Sequence, residues 1–229
     1  MKKMIPLIFC ILMIPLALRA ADDAQQPRNE AQVILGGIFP ETKVTLQGTD
    51  ALASPGLAVG ARYMHNLTPV TSFGGEVISL MPGQSTSDAL ITDGITVSQF
   101  TSVAFFAEVR VKRDDGIVRP YGLAGVGFGS TSMKINATPQ AGFVWTNTKT
   151  AETRTVVDSS KLTPALTIQS GLDFVFSDSF GGGLGVAWYY FGSATYDATA
   201  VAQQTVPGFV GISGPIASIS FLGNLAYRF

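Results

Sequence analysis

Cysteine is almost missing from this chain: of 229 residues only Cys10 is one, and it lies in the N-terminal apolar run. The remainder cannot be stapled by disulfides, nor offer a thiolate zinc site. Histidine is equally scarce, His65 being the only one. No Cys/His cluster points to a metal, and no Ser or Asp arrangement can be tied to His65 to make a nucleophilic triad. The expectation is therefore no enzyme, no metal and no cofactor. Charged residues are few, at 14%, and the net charge is −1, which argues against a nucleic-acid partner. Past residue 18 no apolar run approaches the ~20 residues of a spanning helix.

Against these absences, hydrophobic residues make up 46% of the chain and glycine is abundant, with 25 residues. A chain this apolar, without disulfides or membrane helices, suits a closed sheet facing lipid, in which only alternate residues need be apolar. The N-terminus carries Lys2 and Lys3, then an apolar run over 4–18, then Arg19, Ala20 and Ala21. That is the layout of a secretory signal peptide, expected over 1–20. Phe9 is too bulky to precede a lipoprotein cysteine at Cys10. Residues 21–30 read as a polar periplasmic lead-in, and 31–229 as one domain.

Within that domain alternation recurs over 32–39, 56–64, 71–80, 100–112, 117–129, 162–176, 180–191 and 217–229. The cleanest instance sets Leu162, Leu166, Ile168, Leu172, Phe174 and Phe176 against Thr163, Thr167, Gln169, Gly171 and Asp173. Side chains alternate faces along a strand, so one face is apolar and the other small or polar. The last stretch does the same, with Ile219, Phe221, Leu225, Tyr227 and Phe229 on one face. The first has apolar residues on both faces, Val33, Leu35 and Phe39 against Ile34 and Ile38, which leaves its parity open. The connections run long, short, long, short, long, short, long. Asp-Gly at Asp115–Gly116 suits a tight hairpin turn. This asymmetry is that of a transmembrane barrel with short turns at one end and long loops at the other. The fold class expected is all-β: an eight-stranded antiparallel up-and-down barrel in a bacterial outer membrane, with both termini in the periplasm.

The aromatics sort by end. With odd strands running outward, Tyr63, Phe73, Phe176, Phe180, Tyr227 and Phe229 fall at the periplasmic end on the lipid-facing parity. Phe128, Trp188 and Tyr190 fall at the outer end, joined by Phe39 if its strand keeps odd residues outward. These form two girdles. Phe180 to Tyr190 covers roughly 33 Å of strand, or about 25 Å of height at a tilt near 40°.

Inward parity collects Arg62, Glu76, Glu108, Arg110, Lys112, Asp173 and Arg228. An eight-stranded barrel is just wide enough for side chains to fill, so charges there must pair. A salt-bridge network plugging the barrel is expected; the alternative is a narrow polar path. In the long connection over 130–160, the run 142–147 carries Phe143, Val144 and Trp145, and the run 153–157 carries Arg154. Both are β-prone and a polar break separates them, so they predict a two-stranded ribbon above the membrane. Its aromatics and edges make it the candidate surface-binding loop.

Two segments carry a family resemblance. Residues 217–229, ending on Phe229, resemble the C-terminal strand of bacterial outer-membrane barrels. The motif P-Y-G-L-A-G-V-G-F over 120–128 resembles a recurrent segment of the OmpA/OmpX-type and opacity-type barrels. The resemblance implies that Phe221, Tyr227 and Phe229 are an assembly signal read by the barrel-assembly machinery. It also implies contact with outer-membrane lipid and lipopolysaccharide, and a monomer. The function it implies is a surface protein with a structural, adhesive or host-contact role, meeting host or matrix proteins through its loops. The alternative is a narrow passive channel of the OmpW-like kind. A peptidoglycan-tethering domain is not expected.

Overall fold

The computed structural model describes residues 29–41, 43–46, 49–52, 54–83, 85–89, 92–113, 115–139, 152–200, 202 and 211–229. The expected signal peptide, 1–20, lies outside the described residues, as do Phe143, Val144 and Trp145. Among the described residues there are eleven strands: β1 (Asn29–Pro40), β2 (Lys43–Leu46), β3 (Thr49–Leu52), β4 (Ser54–Asn66), β5 (Thr71–Gly83), β6 (Ser85–Ala89), β7 (Thr92–Lys112), β8 (Val118–Pro139), β9 (Arg154–Val175), β10 (Phe180–Asp197) and β11 (Gly211–Arg228). Eight of them, β1, β4, β5, β7, β8, β9, β10 and β11, form one ring of antiparallel neighbours, closed where β1 pairs with β11. At that closing seam Asn29 and Phe229 exchange both backbone hydrogen bonds, each at 3.0 Å. Among the described residues no helix is long and apolar enough to cross a membrane.

The barrel has a terminal end, with Asn29, Phe229 and the short turns, and a loop end with the long connections. In the turn after β7, Gly116 has φ +85°, a left-handed conformation that a side chain would strain. There the Arg113 guanidinium, hydrogen-bonded to Asp115, holds that carboxyl below its usual range.

The outer face is apolar on every stave. Leu225 is 70% exposed, and Val126 and Leu184 are each 62% exposed. A continuous belt of this kind would be costly in water, at about 25 cal/mol per Å². Lipid removes that cost. In β1 the odd residues Val33, Leu35 and Phe39 face out, while Ile34 and Ile38 are buried. The parity left open by the sequence is thus odd-outward, because the loop half of the interior is itself apolar there. Phe39 packs edge-on against Phe221 at 5.6 Å.

Several stretches read as loops are strand. The connection over 40–55 contains the β2–β3 hairpin, and β3 lies against β6. The connection over 82–98 is a hairpin extension, with β6 pairing with the early part of β7. The connection over 130–160 is strand at both ends: Ser130 to Ala137 pairs with Leu162 back to Arg154. Residues 192–197 continue β10, and β11 starts at Gly211. Glu30, read as the end of the lead-in, belongs with Asn29 to β1, and residues 21–28 lie outside the described residues.

The interior has two layers. The loop half holds an apolar cluster that includes Ile34, Ile38, Ile78, Leu80, Phe106 and Phe191, and continues upward through Met133, Ile135, Val157, Tyr196 and Ile216. The terminal half holds buried charges.

Candidate functional site

The buried charges come from six of the eight ring strands. β1 supplies Glu30, β4 Arg62, β5 Glu76, β7 Glu108, Arg110 and Lys112, β9 Asp173, and β11 Arg228. Strand alternation turns each inward, and the narrow ring brings distant residues together. Arg62 and Glu76 are direct cross-strand partners over the turn between β4 and β5. They form an ion pair. The Arg62 Nε donates to Glu108 Oε2 at 2.8 Å, its Nη1 donates to Gln32 Oε1 at 3.1 Å, and its Nη2 also reaches Gln169 Oε1. One guanidinium thus ties together β1, β4, β5, β7 and β9. Tyr189 closes the group from β10, donating its hydroxyl to Glu76 Oε1 at 3.0 Å. Tyr121 closes it from β8, accepting from Gln169 Nε2 at 2.6 Å.

A second group surrounds Glu30. Arg110 Nη1 lies 2.7 Å from Glu30 Oε1, Arg228 Nε lies 3.0 Å from Oε2, and Lys112 Nζ stands 4.0 Å away. Arg110 also approaches Asp173 at 3.5 Å. Gln32 joins the two groups: it accepts from Arg62 and donates Nε2 to Glu30 Oε1 at 2.5 Å. Four cations and four carboxylates therefore meet in one connected network. Such a balance is what a dry interior demands, since an unpaired buried charge is costly.

All seven interior charges named from the sequence, Arg62, Glu76, Glu108, Arg110, Lys112, Asp173 and Arg228, are buried in this network. Glu30 was missed, because it precedes the first apolar alternation and its partners are far away in sequence. Gln32, Gln169, Tyr121 and Tyr189 were missed as linkers. Their inward parity was the available signal.

On the outside, Tyr63, Phe73, Phe176, Phe180, Tyr227 and Phe229 are exposed toward the terminal end, and Phe128 toward the loop end. Trp188 and Tyr190 are half-buried and stack on each other at 5.5 Å. Phe221 is exposed in mid-strand, and Phe229 stacks on Tyr227 at 5.7 Å. Arg154 opens β9 at the loop end, opposite Ala137. Residues 154–157 pair with 135–137 at the end of β8, and the run 142–147 lies outside the described residues. Among the described residues no group of three or more His, Cys, Asp or Glu is placed to hold a metal ion.

No protein-family model matches the chain, and no curated protein matches it by sequence. Solved structures do match. The outer membrane protein OprG from Pseudomonas aeruginosa aligns with a TM-score of 0.55 at 12% identity, covering 90% of this chain and 98% of that one. Neisserial surface protein A aligns with a TM-score of 0.52 at 12% identity, covering 90% of this chain and all, 100%, of that one. At such identity the likeness is one of fold, and the fold is that of the small eight-stranded outer-membrane β-barrels.

Proposed function

We propose that this protein is a bacterial outer-membrane surface protein whose barrel is closed to solutes and whose loop end makes contacts outside the cell. In this reading the termini face the periplasm, the apolar belt and aromatic girdles sit in the lipid and lipopolysaccharide leaflets, and the chain acts as a monomer. The observation that carries it is the filled interior: the charge network occupies the terminal half and the apolar cluster the loop half. A barrel so filled offers its function at its surface. The extension supports the same reading. β7, β8 and β9 run well beyond the lipid-facing band, and their inner face has its own apolar packing through Met133, Ile135, Val156 and Val157. A built platform of this kind can present a binding surface to host or matrix proteins, and Phe143, Val144, Trp145 and Arg154 are its candidate contact residues.

The test is a double variant, Phe143→Ala with Trp145→Ala, expressed on cells and assayed on matrix-coated surfaces and on host-cell layers. We expect binding to fall about tenfold while the heat-modifiable folded band in outer-membrane fractions is unchanged. Unchanged binding with a folded barrel would overturn the adhesive role.

A further inference from the structure

β1 ends on Pro40, and the next residue is held in place beyond the strand: the Glu41 N–H donates to Ala217 O at 2.9 Å. Its side chain reaches across β11 to the outward face of β10, where Trp188 Nε1 donates to Glu41 Oε2 at 3.3 Å. The outward residue of β11 at that level is the small Ala217, which stands opposite Tyr190. Trp188 and Tyr190 stack on each other, with ring centroids 5.5 Å apart and planes 25° from parallel. Both lie on the lipid-facing parity toward the loop end, and both keep part of their surface exposed. Glu41 is exposed as well, and among the described residues no Lys or Arg pairs with it.

A girdle marks the level at which side chains leave the lipid, and a carboxylate there loses hydration on its lipid side while gaining one indole N–H in return. In the terminal girdle the polar partner is neutral: the Tyr63 hydroxyl donates to Asn29 Oδ1 at 2.7 Å. An ammonium group fits the loop-end arrangement on two counts. Its N–H groups donate to the second carboxylate oxygen, Oε1, which Trp188 leaves free, and the adjoining indole and phenol faces attract a cation within roughly 6 Å of a ring centroid. An anion would be repelled by Glu41, and an apolar ligand would leave its charge unpaired. The surface toward the middle of the barrel suits a lipid tail. Down β11 the outward residues are Ile219, Phe221 and Gly223. Gly223 stands between Leu35 and Leu184, which are 60% and 62% exposed, and a Cβ placed on it would meet nothing nearer than 3.7 Å. A bare position between two projecting leucines is a shallow trough. Ile219 to Gly223 covers two same-face steps, about 13 Å, which an acyl chain spans.

We propose that Glu41, Trp188 and Tyr190 form a site for a protonated amine at the loop-end lipid boundary, and that the amine is a lipid headgroup whose acyl chain lies in the trough at Gly223. Glu41 supplies the charge, Trp188 fixes the carboxylate through its N–H, and the two rings share the cation through their faces. The site lies on the outside of the barrel. It goes beyond the closed-barrel reading and stands whether or not the loops bind a partner.

The experiment uses the folded full-length protein with Trp145→Phe, which leaves Trp188 as its one indole, in phosphatidylglycerol vesicles. The vesicles carry a quenching doxyl label at the same acyl carbon of either phosphatidylethanolamine or an uncharged galactolipid, so that repulsion by Glu41 does not enter the comparison. Trp188 emission should be quenched at least twice as strongly by the amine-bearing lipid. Adding Glu41→Gln, which keeps an oxygen for the indole N–H and removes the charge, should bring the ratio to one while the barrel stays heat-modifiable. Equal quenching by the two lipids in the parent overturns the site alone, as does a parent-like ratio in the Gln variant. Quenching by neither lipid takes Trp188 out of the lipid and overturns the lipid-facing belt as well. Free ethanolamine, compared with sodium chloride at the same ionic strength, should leave Trp188 emission unchanged. A saturable change with free ethanolamine in place of the lipid preference makes the ligand a soluble amine and overturns the lipid assignment.

Discussion

Arg62 shows at the residue scale how the interior is held. Its guanidinium spends its donors on Glu76, Glu108, Gln32 and Gln169. Removing either carboxylate partner leaves buried charge under-compensated. Glu76→Ala and Glu108→Ala are each expected to lower folding stability by roughly 3–5 kcal/mol, the usual cost of breaking a buried pair. Urea midpoints of the refolded barrel in lipid check this, and midpoints within error of the parent would contradict it. Glu30→Ala should cost as much or more, since Arg110, Arg228 and Lys112 all converge on that carboxylate. Arg62 and Glu76 were legible in the sequence because a short turn makes them cross-strand neighbours. Glu30 was not, because its partners lie 80 and 198 residues away and nothing local marks it.

At the scale of elements, the closing strand pair is the most exposed to failure. β11 meets β1 from Glu30–Arg228 up to Pro40–Ser218, and Asn29 and Phe229 finish the ladder at the terminal end. Phe229 also stacks on Tyr227, which in turn contacts Phe180 at 5.2 Å. Such aromatic contacts are worth about 0.5–1.5 kcal/mol each. Phe229→Glu loses one and puts a charge at the lipid interface, so the folded, heat-modifiable yield in outer-membrane fractions should drop several-fold. An undiminished yield would remove Phe229 from any role in assembly. The extension makes a separate prediction. Ile135 and Val157 are paired in register and fully buried above the lipid band. Val157→Asp should open the extension to limited proteolysis while the barrel below still migrates as folded. Strands inside the lipid band were legible because their outer face is apolar. Their continuations were not: over 130–138 Met133, Ile135 and Ala137 turn inward, but Ser130, Ser132, Lys134, Asn136 and Thr138 meet water, so the stretch looks like a polar loop.

For the whole molecule, the alternation that fixed the outer face also fixed what lies inside, and the eight-strand count did the rest. A ring this small has no room for both a side-chain network and an aqueous lumen. The long–short order of connections made the barrel legible as a whole. The layering of the interior, polar toward the termini and apolar toward the loops, was less so, because it depends on residues of all eight strands at one height. The most direct measurement is the conductance of the purified, folded protein in a planar lipid bilayer at neutral pH and high potassium chloride. A closed barrel predicts a quiet baseline with no unitary steps, for the parent and for Phe143→Ala/Trp145→Ala alike; reproducible, steady steps from the parent barrel would contradict it.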